Sequence, residues 1–338
     1  MYIGDVHDGS GLAHMVWEVL SNALDLHLAG RAIRISIEIR ADGAVSVDDD
    51  GPGFPRHEVD GVPFVELALT RHHSTPTLDG HAPHEHVGRY SMGVFVISAL
   101  SSWLLVEVFS NGRRYEQRFE RGVAVTRLSD AASADRSGTR VTFLPDPQIF
   151  SDTWLDAGVV AGRLRELVRL LPGLSLEFSD LRKHPFYEPS GLQAFLERAD
   201  EAGETLLVNE LVGDVRVEVA ARWHSHRRST IESFANIERT TDGGSHVRGL
   251  INGLVKGLRR AAPKPCDGMS KKQLVAPLSR GLDAVVCVRL NDPTYDAPTK
   301  TKLLTPAVEA AVKAAVSDAF TAFLRDNRRL RRRFTSAL

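Results

Sequence analysis

The chain has 338 residues, enough for about two domains, each with its own core. With 43% hydrophobic and 25% charged residues, it is neither a disordered nor a fibrous protein. Its 42 Lys and Arg against 43 Asp and Glu leave a net charge of -1, so no overall positive field exists for gripping nucleic acid. Cys266 and Cys287 are too few for a disulfide framework and suit a reducing compartment. No apolar run reaches the roughly 18 residues that span a bilayer. The start, Met1 to Gly11, lacks the basic-then-apolar layout of a signal peptide. The expectation is a cytoplasmic protein of two domains with no membrane partner.

In chain order, Leu12 to Ala29 carries apolar residues at helical spacing and ends at Gly30, a C-terminal cap. Ile33, Ile35, Ile37 and Ile39 alternate with polar residues and predict a half-buried strand. Asp42-Gly43 marks a hairpin turn into a second strand, Ala44 to Val47, followed by an acidic Gly/Pro-rich loop, Asp48 to Pro55. Val62 to Thr70 reads as helix, and Arg71 to Arg89 as a long polar loop of the kind used as a lid or binding loop. A buried helix is expected at Met92 to Leu100, then strands at Leu104 to Phe109, Tyr115 to Phe119 and Thr139 to Leu144. Ala161 to Leu171 is an amphipathic helix stopped by Pro172-Gly173, with a strand at Leu174 to Phe178 and a short helix at Leu192 to Ala199. A second unit begins near residue 200, with strands at Val215 to Trp223 and Ala284 to Leu290. A helix near His246 to Leu258 lies between them, which reads as a βαβ crossover. An Ala-rich helix, Pro306 to Leu324, runs into an Arg-rich end.

Glu18 and Asn22 lie four residues apart and share a helix face. A carboxylate beside a carboxamide can activate a water and hold a hard cation such as Mg²⁺; the same spacing also describes the wet face of any surface helix. The segment Val47 to Pro55 follows a strand directly. Asp49 at that strand end can accept a hydrogen bond from an exocyclic amine such as adenine N6, and glycines let backbone approach a planar base. Asp-Gly and Pro-Gly are also generic turn dipeptides.

Helix Glu/Asn, then a strand, then Asp49-x-Gly51-x-Gly53 is the order that marks the GHKL ATPase superfamily. Within it the chain resembles the ATPase region of DNA gyrase B and its topoisomerase IV counterpart. The resemblance rests on Met1-Tyr2-Ile3-Gly4, Gly30, Ser46-Val47, Asp49-Asp50-Gly51 and Gly53. It continues through Ser137-Gly138-Thr139, Asp242-Gly243-Gly244-Ser245-His246 and Thr299-Lys300-Thr301-Lys302-Leu303.

The resemblance implies an α+β protein. A GHKL (Bergerat) ATP-binding α/β sandwich at residues 1–199 would precede a ribosomal-S5-like βαβ transducer at 200–325 and a basic tail at 326–338. It also implies roles. Glu18 is the general base that readies water for the γ-phosphate, and Asn22 binds Mg²⁺. Asp49 accepts from adenine N6, with Thr139 holding a nearby water, and Gly53 shapes the base pocket. Gly88 and Gly93 belong to the phosphate lid, and Lys300 reaches the γ-phosphate from the second domain. Expected cofactors are ATP and Mg²⁺. Expected partners are a second copy on ATP binding, a separate DNA-cleaving subunit, and DNA held weakly and without sequence preference.

Departures from the family pattern qualify this. Of the lid glycines only Gly88 and Gly93 survive in Val87 to Gly93, and Arg89 is either a replacement phosphate contact or a solvated loop residue. The lid has no lysine and carries His72, His73, His81, His84 and His86, without zinc spacing. Pro298 stands where the family has Gln, which removes a side-chain amide. The sequence starts without the family's partner-crossing arm and ends before any Toprim or cleavage domain, so it is not expected to pass DNA alone. Arg325, Arg328, Arg329, Arg331, Arg332 and Arg333 suit either phosphate contact or a solvated helix end. The resulting expectation is a slow Mg-ATPase module of a type II topoisomerase. The alternatives are a non-hydrolysing nucleotide switch derived from the same ancestor and a structural module that binds no nucleotide.

Overall fold

The structure is a computed structural model and describes residues 4–71, 93–180, 182–196, 204–224, 229–297, 299–336 and 338. The chain divides into two compact units, Met1–Pro189 and Ser190–Leu338.

The first unit is built on a nine-stranded mixed sheet. Its strands are β1 (Arg34–Ile39), β2 (Val45–Asp49), β5 (Ser101–Ser110), β6 (Arg113–Glu120), β7 (Val123–Ala124), β8 (Ser129–Ser133), β9 (Gly138–Pro145), β10 (Ser175–Ser179) and β11 (Lys183–Phe186). They run in the order β11-β10-β1-β2-β9-β5-β6-β7, with β8 also on β6. A separate two-stranded ribbon pairs β3 (Glu58–Val59) with β4 (Val62–Pro63). Among the described residues, four helices accompany the sheet: α1 (Ser10–Leu28), α2 (Phe64–Thr70), α3 (Gly93–Ala99) and α4 (Ala157–Leu170). Helix α1 packs on β2, α3 on β5 and α4 on β10.

The alternation in β1 does what its period demands: Ile35, Ile37 and Ile39 are buried. Ile33, one residue before β1, does not join them and is 61% exposed; its N–H donates to Asp50 Oδ1 at 2.8 Å. Strand β8 is exposed throughout and reads Ser-Asp-Ala-Ala-Ser, so it carries no period-2 signal. The expected helix at Leu192 to Ala199 is a single 3₁₀ turn, Gly191–Phe195, and the residues directly after Leu196 lie outside those described.

The second unit has a five-stranded sheet of β12 (Leu206–Val212), β13 (Val215–Trp223), β14 (Thr230–Ala235), β15 (Glu238–Arg239) and β16 (Leu282–Arg289), ordered β12-β13-β16-β14-β15. Its helices are α5 (Ser245–Ala261), α6 (Lys271–Ser279), α7 (Pro306–Asp326) and α8 (Arg328–Thr335). The crossover expected between β13 and β16 is corrected here, since those two strands pair antiparallel. The parallel partner of β16 is β14, so the βαβ unit is β14-α5-β16. Strand β14, Thr-Ile-Glu-Ser-Phe-Ala, is too short and too polar at its start to declare itself by periodicity.

Helix α5 crosses α7 on a ridge of Gly249, Gly253 and Gly257, spaced four apart so that they line one face. A Cβ at Gly253 would lie 2.7 Å from Val316 Cβ, and one at Gly249 would lie 2.8 Å from Val312 Cβ. The Arg-rich end is a helix, not an extended tail. Phe334 of α8 is fully buried against Trp223 and Phe320, with ring centroids 5.5 and 6.0 Å away.

Candidate functional site

Three consecutive aspartates at the end of β2 have three different environments. Asp50 staples the loop to β1: its carboxylate accepts from Ile33 N at 2.8 Å, Arg34 N at 2.9 Å and Arg34 Nε at 3.2 Å. Burial works to raise its pKa, but these N–H donors outweigh it and hold the carboxyl below the ordinary carboxylate value. Asp48 is bound by two arginines. Arg136 grips it with a fork, Nη2 to Oδ1 at 2.6 Å and Nη1 to Oδ2 at 3.0 Å, and Arg140 Nε donates to Oδ2 at 2.6 Å.

Asp49 lies between them and is only 7% exposed. Gly51 N donates to its Oδ1 at 2.8 Å, and the Thr139 N–H also hydrogen-bonds its side chain. Burial pushes its carboxyl up to about 6, with neighbouring Asp48 adding to the rise. The Gly51 and Thr139 N–H groups and the Arg136 charge pull the other way. Asp49 and Thr139 are thus brought together, on β2 and the start of β9 respectively. Gly53 joins them: at φ 89 its backbone is left-handed, and an added Cβ would lie 3.0 Å from Phe109 O, 3.1 Å from Val108 Cγ1 and 3.3 Å from Gly138 O. A side chain there would fill the space between the ends of β5 and β9.

On α1, Glu18 and Asn22 are half-buried on one face. Two turns beyond Glu18, Leu26 Cδ1 would lie 2.8 Å from a Cβ on Gly51, so this face runs alongside the Asp49 loop. Gly93, at the start of α3, backs onto Glu18. A Cβ there would be 2.1 Å from Glu18 Oε2 and 3.0 Å from its Cβ and Cδ. The missing side chain is what leaves room for the carboxylate. His14, one turn before Glu18, places Nε2 3.5 Å from Glu18 Oε1. That neighbour was available from i,i+4 spacing alone. Arg136 and Arg140 were not, because only strand register sets Arg140 opposite Asp48. Gly88, Arg89 and the five lid histidines lie outside the described residues.

In the second unit, two motifs far apart in sequence meet. Leu303 bridges Gly244 on one side and Tyr295 on the other. Leu303 N donates to Gly243 O at 3.0 Å, Ser245 N to Leu303 O at 2.9 Å, and Asp242 N to Thr301 O at 2.8 Å. Gly244, at φ 141, has no room for a Cβ, which would sit 2.2 Å from Leu303 O. Lys300 occupies the turn of this loop at φ 56, a left-handed position unusual for lysine. Its Nζ donates to Glu238 Oε1 at 3.0 Å. Pro298 lies outside the described residues. His246 is fully buried with Nε2 3.0 Å from Thr240 Oγ1, and burial, with Arg248 adding to it, lowers its pKa to about 4.

Among the described residues, no cluster of three or more His, Cys, Asp or Glu forms a metal cage, and no helix is long and apolar enough to cross a membrane. Helix α1, with its carboxylate and amide, thus packs on the strand that ends in the buried Asp49 and its glycines. Residues 7–149 match the family model of histidine kinase-, DNA gyrase B- and HSP90-like ATPases, and residues 190–336 match that of DNA gyrase B. DNA gyrase B of Caulobacter vibrioides is 34% identical over 355 residues, and DNA gyrase B of Thermus thermophilus is 34% identical over 347. These matches cover 97% and 98% of this chain but only 44% and 54% of the relatives. The chain therefore spans about half the length of the curated relatives it matches. The 43K ATPase domain of T. thermophilus gyrase B, solved with an aminocoumarin, superposes with a TM-score of 0.84 at 30% identity, covering all of this chain and 90% of that one. The topoisomerase IV ATP-binding domain of Francisella tularensis gives 0.83 at 25% identity, covering all of this chain and 92% of that one. The chain belongs to the DNA gyrase B family.

Proposed function

We propose that the protein binds Mg-ATP and hydrolyses it slowly, as the nucleotide-driven module of a type II topoisomerase. The observation that carries this reading is the pairing of a buried, hydrogen-bonded Asp49 with Glu18 held in the gap at Gly93. Asp49 accepts from the adenine amine while Thr139 and Gly53 shape the base pocket. Gly88 and Gly93 contribute lid backbone to the phosphates. Glu18 takes the proton of a water as its oxygen attacks the γ-phosphorus and ADP leaves, with His14 steadying the carboxylate. Phosphoryl transfer asks for this positioning and charge stabilisation and little covalent chemistry. Lys300 completes the γ-phosphate contacts and so distinguishes ATP from ADP.

The donor set suits Mg²⁺. Asn22 offers one hard oxygen, and a cation that keeps several waters and leans on phosphate needs no protein cage. When bound there it neutralises phosphate charge. ATP binding would favour association with a second copy, and the functional context is a DNA-cleaving partner subunit. DNA itself is a weak, sequence-independent partner through the exposed arginines around α8.

The test is Glu18→Ala. Steady-state phosphate release should fall about 10²- to 10⁴-fold, the usual worth of a general base, while a non-hydrolysable analogue still binds. Unchanged turnover in Glu18→Ala would remove Glu18 from this role. Tight binding without turnover in the wild-type chain would favour the non-hydrolysing switch.

A further inference from the structure

Arg136 lies two residues before Gly138, at the entry to β9. Three contacts converge on its guanidinium. Nη1 and Nη2 hold the Asp48 carboxylate as a fork, Nη2 also donates to the Asp49 carbonyl at 3.2 Å, and Cζ sits 4.1 Å from the centroid of the Phe109 ring. A planar fork that bonds two oxygens and stacks on an aromatic face is the geometry arginine supplies and lysine does not.

These contacts fall where the strands part. The β2–β9 ladder runs from Val45↔Phe143 to Asp48↔Arg140 and stops there. Asp49 is one residue past its last rung, so sheet pairing with β9 does not hold it. Just beyond the rung, Gly138 at φ 133 brings its backbone against Asp49, with a built Cβ only 1.9 Å from the Asp49 carbonyl. Phe109 pairs with Gly138 at the end of β5, and its carbonyl abuts Gly53. Arg136 therefore joins the segments that carry Asp49, Thr139 and the wall against Gly53, where the pairing of β2 with β9 has ended. A bridge meant only to bind β2 to β9 would be redundant one residue earlier, where Arg140 already holds Asp48.

We infer that Arg136 is a positioning residue for purine recognition: it clamps Asp48 and the Asp49 peptide so that the Asp49 carboxylate stays aimed at an exocyclic amine, and it thereby sets selectivity for 6-amino over 6-oxo purines. The inference rests on the ATP reading above and adds to it a residue that contacts no nucleotide atom.

The experiment measures affinity of the full chain for ATP and for inosine triphosphate, in which oxygen replaces the amine. Wild-type protein should prefer ATP. Arg136→Met should lose about tenfold in ATP affinity, roughly 1.4 kcal/mol, and little in inosine triphosphate affinity, so the preference collapses. Arg136→Lys keeps the charge without the fork and should behave the same way, which covers the case in which the Met variant folds poorly. In an Asp49→Ala background, Arg136→Met should change ATP affinity no further. Equal loss for both nucleotides, or no loss, would overturn the inference while leaving the ATP reading intact. Wild-type protein that binds neither nucleotide would overturn the ATP reading and this inference with it.

Discussion

In the proposed function Asp49 carries both stability and recognition. Its folded-state pKa, about 6, lies above the ordinary value for an aspartate. A raised pKa means that the stability its protonated form contributes is present below about pH 4 and is lost as pH rises through about 6. At neutral pH the buried carboxylate is thus a cost that a hydrogen-bond donor in the pocket relieves. ATP affinity should therefore fall severalfold between pH 7.5 and 5, with a midpoint near 6 in the free protein. Calorimetry in buffers of different ionisation heat should detect a proton released on binding near pH 6. In Asp49→Asn the part of that release beyond the triphosphate's own titration should vanish, and its persistence would assign the proton elsewhere. Asp48, Asp49 and Asp50 look alike as letters. Burial of the middle one and the arginines and N–H groups around its neighbours give them separate tasks, and none of that is local in sequence.

Elements are positioned here by absent side chains as much as by present ones. The Gly249, Gly253 and Gly257 ridge lets α5 and α7 approach until Val312, Val316 and Phe320 fill the space that side chains would take. Gly253→Ala improves helix propensity yet has to push Val316 aside. Overpacking of this kind costs about 1–3 kcal/mol, more than the propensity gain of about 1. Thermal unfolding followed in the second unit should show a lower midpoint, and an unchanged or higher one would mean α7 moves away without penalty. His246, at the start of α5, is the acid-sensitive point of the same unit. Its pKa is depressed to about 4, so the stability from keeping it neutral is present above about pH 6.5 and is lost as pH falls through 4. Wild-type protein should lose stability between pH 6.5 and 4 by more than a His246→Gln variant does; parallel pH curves would contradict this. The helical period made α5 and α7 visible in sequence, but the crossover reading failed. Two strands separated by a helix need not be the two that pair, and β14 was hidden by its polar start.

At the scale of the whole molecule, each unit has its own sheet and core, and the proposed function asks the second to sense what the first binds. Lys300 is the group through which that would occur. Its backbone is held by the Tyr295 to Leu303 loop, which is itself pinned to Asp242-Gly243-Gly244, and its side chain is engaged by Glu238. Lys300→Ala should reduce the preference for ATP over ADP about tenfold or more and leave ADP affinity nearly unchanged; an equal loss for both would deny Lys300 a γ-phosphate role. The sequence by itself determined most of the regular elements, because periods of 3.6 and 2 are local consequences of burying one face, and the α+β class followed from the family resemblance. Spacing alone offered Glu18, Asn22 and Asp49 as candidates, and the family resemblance added Gly53 and Thr139. Only the tertiary structure decided which strands form the crossover, that Gly93 makes room for Glu18, and that Arg136 holds the Asp49 peptide. Those facts depend on register and on close approach between segments dozens of residues apart, and residue order does not encode such distances until the chain is folded.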